Sequence, residues 1–448
     1  MQTKKQELSH YLKNPFLSGT IILTLAGFLT KIIGFFYKIF LARIFHDEGL
    51  GIIGLISPIM MLVHSLCASG IQNAITKYVA ACGKSKKAHG YGYLYTGILF
   101  SLSLSSIMAF LIFQYSSFIC TYFLHEQRCT SLLKITALSF PLASLHTCLN
   151  GFFYAEKKAG IPAASLLAEQ GGRVLSVFLL YSISLKQQTE LPLITSAIGL
   201  FVGECASAIF SCCILLIHTG KGSHTSKKSL ISLQKCKDIF ALAAPLSLNR
   251  ILISVLSSFE TIQLPLMLVK SGLTTNQALS VYGVFSGMAF PLIMFPCALT
   301  GSAGSLMLPY ISEQQANKNY KRIHQATLLT LIICFLVGFA FMLFLLTFAD
   351  IIGHLLFQSD AAGKQIRALA FSCPFLYLSG MLNNILHGLG KTTITFLFSM
   401  ISLGCRLFFV FFAVPALGFT GYFYGILCSQ ILLDLLLILA LKRYIIYN

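Results

Sequence analysis

About a dozen stretches of some twenty or more apolar residues, nearly free of charge and separated by short polar breaks, run the whole length of this 448-residue chain. One or two such stretches fit inside a soluble core. A dozen do not, because each needs apolar cover on every side, and a bilayer provides it. The runs do not alternate apolar with polar residues, so they predict helices and not strands. Expected spans are 17–42, 50–73, 92–117, 132–154, 161–184, 191–217, 239–264, 281–308, 325–348, 367–388, 392–414 and 418–441. Only 10% of residues are charged, and the mean hydropathy is +0.80. The breaks between spans are too short for a separate soluble domain, so any function resides among the helices.

The formal net charge of +18 does not indicate nucleic acid, since the cations sit in short loops and not on one folded basic face. With a cytoplasmic N-terminus, most of the 32 Lys and Arg residues fall in inner segments. These include Lys4, Lys5, Lys13, Lys84, Lys86, Lys87, Lys157, Lys158, Lys227, Lys228, Lys391, Lys442 and Arg443. The positive-inside rule then predicts a multi-pass protein of the cytoplasmic membrane with both termini cytoplasmic. The first span is too long for a signal peptide and is expected to be retained. Residues 219–238, the longest inner loop, read as a linker between a six-helix lobe at 1–218 and another at 239–448.

An internal match supports that division. Lys134–Phe178 aligns with Arg367–Phe411 without a gap, pairing Pro141 with Pro374, Asn150 with Asn383, Lys158 with Lys391, Gly171 with Gly404 and Arg173 with Arg406. A shift of six spans preserves direction. The fold class expected is therefore all-α, about twelve transmembrane helices in two parallel-repeat lobes around a central cavity.

Charges inside spans carry the functional reading. Lys31 and Lys38 lie on one stripe of the first helix with Thr24, Gly27 and Gly34, about 10.5 Å apart along the axis. A cation in mid-membrane is costly and ordinarily faces a polar interior. Lys31, Lys38, Arg250 and Arg406 are accordingly the candidate anion-binding residues of the cavity, Arg250 and Lys38 also being near enough to span ends to snorkel. Glu169 and Arg173 are one turn apart and suited to pair. Arg406 has Ser402 where Glu169 would stand, and so is expected to be the more available arginine. Glu169, Arg173, Glu204, Glu260 and Asp434 are structural or coupling charges. Cysteines mostly stand alone in apolar runs, as small buried residues; Cys120 and Cys129 flank one outer loop and could pair. Neither a metal site nor a cofactor is expected.

Four segments resemble a known family: "LTKIIGFFYKIFLARIF" (29–45), "PAASLLAEQGGRV" (162–174), "ETIQLPLMLVKSGLTTNQALSVYGVFSGMAFPLIMFP" (260–296) and "LNNILHGLGKT" (382–392). They are similar to the stage V sporulation protein B branch of the multidrug/oligosaccharidyl-lipid/polysaccharide exporter superfamily. The resemblance runs through nearly the whole chain. It implies a two-lobed flippase that moves a lipid-linked oligosaccharide or peptidoglycan precursor by alternating access, in service of spore cortex or cell-wall polysaccharide synthesis. It also implies membrane lipids and cell-wall synthesis enzymes as partners. Lipid II flippases in this superfamily place a basic residue in helix one before a Gly-Phe step, which Lys31, Gly34 and Phe35 match. The arginine they carry in helix eight is absent from Ser286–Pro291.

Two other functions compete. A multidrug or cation exporter of the same superfamily calls for acids in the first lobe, where Glu169 and Glu204 are available. A membrane-embedded glycosyltransferase needs paired carboxylates in a sizeable loop, and Asp47-Glu48, the single adjacent acidic pair, sits in a short one.

Overall fold

The computed structural model describes residues 15–82, 87–220, 232–317 and 319–446, which are helical almost throughout. Lys4, Lys5, Lys13, Lys84, Lys86, Lys227 and Lys228 lie outside the described residues, as does most of the expected linker. In chain order the helices are α1 (Pro15–Gly54), α2 (Ser57–Cys82), α3 (Lys87–Gln114), α4 (Cys129–Ala155), α5 (Gly160–Gln187), α6 (Ile194–Gly220) and α7 (Leu233–Lys270). Then follow α8 (Thr275–Met294), α9 (Cys297–Ala316), α10 (Tyr320–Phe357), α11 (Asp360–Ala370), α12 (Cys373–Gly388), α13 (Thr392–Leu417) and α14 (Phe419–Ile446). Among the described residues 11 helices are long and apolar enough to cross a membrane, or 12 with α11 and α12, bent by 58°, taken as one span. Large apolar side chains such as Phe110, Leu216 and Phe412 are more than half exposed, which is stable only where the surroundings are hydrocarbon.

By its internal contacts the chain sorts into two compact units, Met1–Gly34 with Ile56–Val255, and Phe35–Leu55 with Leu256–Asn448. The first has a core of Ile71 and Ile75 on α2, Leu94 on α3, Leu149, Phe152 and Phe153 on α4, and Ile239 and Ala243 on α7. The second buries Ile311 of α9, Ile323 and Cys334 of α10, Met381 to Leu386 of α12 and Leu433 to Leu441 of α14.

One span differs from expectation. The helical run 281–308 is broken, α8 ending at Met294 and α9 starting at Cys297; Pro296 has no N–H to continue the ladder, and Val284–Ala289 is already widened to a π-turn. Helix α1 is interrupted at His46, which adopts φ 53°. Beyond that break its last turns meet α8 backbone to backbone. A Cβ on Gly51 would strike the Leu279 carbonyl, and one on Gly283 would strike the Asp47 carbonyl and the Gly51 amide. Gly283→Ala is therefore expected to destabilise the protein by about 1–3 kcal/mol, because neither obstacle is a flexible side chain that can swing away. Thermal unfolding in lipid nanodiscs measures this.

Helix ends are fastened by cations. Arg43 donates from Nε to the Leu356 carbonyl at 2.8 Å and from Nη2 to the Leu355 carbonyl at 2.6 Å, satisfying the last turn of α10. Lys158 and Lys391, equivalent in the internal match, each hold a later helix of their own unit. Lys158 Nζ lies 2.7 Å from Glu156 Oε2 and 2.8 Å from His218 Nε2 on α6, and Lys391 Nζ sits 4.5 Å above the Tyr444 ring on α14. Burial would raise the Glu156 pKa, but hydrogen bonds from Lys158 and His218 outweigh it and hold the carboxyl below its usual range. A lowered pKa gives stability that is present above the ordinary carboxylate value and is lost as pH falls through the folded one. Glu156→Gln should thus cost on the order of 1–2 kcal/mol at neutral pH, with the difference from the parent protein closing in acid; denaturation across pH checks it.

Candidate functional site: charged groups in the membrane helices

Helix α1 carries Lys31 and Lys38 on the stripe the sequence indicates. Both side chains are exposed, and neither has a carboxylate partner among the described residues. The stripe meets polar groups of α5: a Cβ on Gly34 would lie 3.3 Å from Gln170 Nε2, and Gln170 Oε1 is buried without a hydrogen bond. Arg250, on α7, is also exposed and free of any carboxylate partner among the described residues.

The first unit gathers four ionisable side chains from three successive helices. Arg173 and Glu169 form the expected one-turn pair on α5, Nη2 to Oε1 at 2.7 Å. Glu204 of α6 is not left alone: its Oε2 is 2.7 Å from His146 Nε2 on α4, and its Oε1 is 4.0 Å from Arg173 Nη2. His146 and Glu204 are both 7% exposed. Two carboxylates face one permanent cation, so the fixed charges of the cluster do not cancel. Ligand atoms of His146, Glu169 and Glu204 lie within 4.8 Å of one another, as a metal site would require. The Arg173 guanidinium already occupies the same space, and a metal ion there would face a fixed positive charge.

The second unit corrects the expected contrast between the two arginines. Arg406 is not free: its Nε is 2.5 Å from Glu260 Oε1, so α13 is pinned to α7. Tyr422 of α14 donates its hydroxyl to the same Glu260 oxygen at 2.8 Å. Where the first unit pairs its arginine along one helix, the second pairs it across helices, a partnership that spacing within a single helix cannot reveal. Asp434 differs from every other acid in the spans. It is 3% exposed, and neither carboxylate oxygen has a hydrogen-bond partner among the described residues. Cys120 and Cys129 are both buried and are not joined by a disulfide.

Sequence reading had missed His146 and Tyr422. His146 stands alone on an apolar helix and its repeat counterpart is Ser379, so neither spacing nor the internal match marks it. Tyr422 sits among aromatics near the start of α14, where its ring alone would explain it.

Comparison with known proteins places this arrangement. The polysaccharide biosynthesis protein family matches residues 16–315, and the MatE family matches residues 247–412. Stage V sporulation protein B of Bacillus subtilis (strain 168) is 27% identical over 434 residues, 95% of this chain and 83% of that protein. The sporulation protein YkvU of the same organism is 23% identical over 80% of this chain and 78% of its own length. Among solved structures, the inward-facing form of a multidrug resistance MATE family transporter superposes with a TM-score of 0.74 at 14% identity, covering 96% of this chain and 98% of that one. The lipid II flippase MurJ in an inward closed conformation gives 0.73 at 15% identity, covering 94% and 87%. The fold is shared with this transporter and this flippase. The chain belongs to the polysaccharide biosynthesis protein family and is a membrane transporter of the multidrug/oligosaccharidyl-lipid/polysaccharide exporter superfamily.

Proposed function

We propose that the protein is a flippase for a lipid-linked, diphosphate-bearing glycan precursor, and that Lys31 is the principal contact to the diphosphate. The observation that carries this reading is the pair of exposed lysines on one stripe of α1, neither with a carboxylate partner among the described residues, whereas Arg173 and Arg406 are held by glutamates. An anionic headgroup with many hydroxyls cannot cross about 30 Å of hydrocarbon unaided. Lysine ammonium groups offer it charge-assisted hydrogen bonds while the lipid tail stays in the bilayer. Lys38 and Arg250 are further exposed cations of the spans; Arg406 leaves the set because Glu260 neutralises it. Alternating access needs no covalent chemistry and no cofactor. A cytoplasmic-membrane location with both termini inside, and service to spore cortex or cell-wall polysaccharide synthesis, complete the proposal. Native mass spectrometry of gently purified protein tests it: a co-purifying lipid diphosphate supports the reading, and its absence from a preparation that retains other lipids speaks against it.

The second reading is export of an organic cation. The MatE match over residues 247–412 and the buried carboxylates favour it. It predicts drug efflux that is insensitive to Lys31→Ala.

A further inference from the structure

A buried carboxylate with no donor is an unstable arrangement of charge. Asp434 is 97% covered, both of its oxygens are unpartnered among the described residues, and it shares α14 with Leu433 and Leu437 of a buried apolar core that also includes Leu382, Ile385 and Leu386 of α12. Left ionised, such a group is penalised by several kcal/mol, whereas the neutral acid asks only for one acceptor.

That acceptor is on the facing helix. One crossing, α13, separates α12 from α14, so the two run the same way. Two contacts fix their register: Gln430 Nε2 donates to Ser379 Oγ at 2.9 Å, and Lys391 near the end of α12 caps the Tyr444 ring near the end of α14. One turn on from Ser379 is Asn383, and one turn on from Gln430 is Asp434. The register therefore sets Asn383 and Asp434 at one level, and Asn383 Oδ1 is itself buried with no hydrogen bond. A cavity lies one turn further along α14. Ile438, four residues past Asp434, lines a cavity of about 200 Å³ with His324, Thr327, Leu328, Leu331, Leu441 and Lys442. Thr327 Oγ1, inside it, is again buried and unpartnered.

We propose that Asp434 is a proton-binding site, a neutral carboxylic acid that donates its O–H to Asn383 Oδ1 and exchanges its proton with water at the Lys442 end through the His324–Thr327 cavity. On release the proton passes to cavity water and the carboxylate remains; on uptake the sequence reverses. Other titratable groups on the packed helices are committed or distant in register: His387 of α12 lies 3.3 Å from the Thr395 hydroxyl, Arg406 is held by Glu260, and Cys334 of α10 is a buried thiol. Cys405 of α13 and Cys428 of α14 lie toward the opposite end, Glu313 of α9 is exposed, and His324, Lys442, Arg443 and Tyr444 belong to the cavity end. A metal ion is the poorer occupant, since hard cations take about six oxygens and Asp434 and Asn383 offer three side-chain oxygens between them. The site belongs to one unit and holds whichever substrate is carried.

Infrared difference spectroscopy of the full chain in lipid nanodiscs, in sodium-free buffer near neutral pH, tests this. The expected result is a protonated-carboxyl band that shifts in deuterium oxide, is lost in Asp434→Asn, and moves in Asn383→Ala, where the acceptor is gone. His324→Ala should slow the deuterium shift without removing the band. Absence of any carboxyl band sensitive to Asn383→Ala, in protein with the parent elution profile, overturns the proposal. A band that vanishes when sodium is restored also overturns it, since the carboxylate would then be a metal ligand. Asn383→Ala keeps the test decisive even if Asp434→Asn fails to fold.

Discussion

Lys31→Ala is expected to reduce flipping of a lipid diphosphate by about ten- to a hundredfold, the loss of one charge-assisted hydrogen-bonding group worth some 1.5–3 kcal/mol. Abundance and thermal stability should hold, because no carboxylate among the described residues depends on Lys31 and removing a cation from a span eases insertion. Lys31→Arg should keep part of the activity, since the charge survives in a planar fork of different reach. Lys38→Ala should have the smaller effect, as Lys38 stands two turns along the same stripe. Single-turnover flipping by protein of matched amount separates these outcomes. Normal transport by Lys31→Ala would reduce the lysine to a surface cation.

The second large effect concerns stability. Arg406→Ala leaves Glu260, 4% exposed, with the Tyr422 hydroxyl as its remaining bond, and stranding a buried charge costs about 3–5 kcal/mol. The protein should lose abundance and unfold at markedly lower temperature. Glu260→Gln in the same background should recover much of that loss, because a neutral amide keeps the Tyr422 hydrogen bond and needs no cation. Arg173→Ala strands Glu169, but that side chain is 17% exposed against 5% for Glu260, and Glu204 keeps His146 as its partner, so the loss should be milder. If Arg406→Ala instead stayed as stable as the parent protein and lost only transport, Arg406 would have to bind substrate, and the Glu260 pairing would have the wrong role.

Much of this architecture is visible in the residues, for physical reasons that also mark where it stops. A span must be long and apolar whatever its neighbours are, so the spans could be placed from hydropathy alone. Glu169 with Arg173 was legible because one turn of helix is a local fact. Glu260 with Arg406 was not: their helices are separated by more than a hundred residues, and only packing brings them together. The same holds for His146 with Glu204. The break between α8 and α9 illustrates a different limit, since Pro296 inside an apolar run is compatible with a kinked span or with two helices, and hydropathy does not distinguish them. Arg43 caps α10, a contact more than three hundred residues away in sequence that no local spacing reveals. Asp434 stood out in the sequence as an acid without a local partner; only the packing shows that it has none across helices among the described residues either.

The most direct test of the flippase reading is a reconstituted assay that offers proteoliposomes two glycolipids with the same sugar, one joined to its lipid through a diphosphate and one through a neutral linkage. The account predicts that the parent protein translocates the diphosphate lipid, leaves the neutral one behind, and loses the preference in Lys31→Ala. Equal translocation of both lipids, or uptake of organic cations with neither lipid moved, would contradict it.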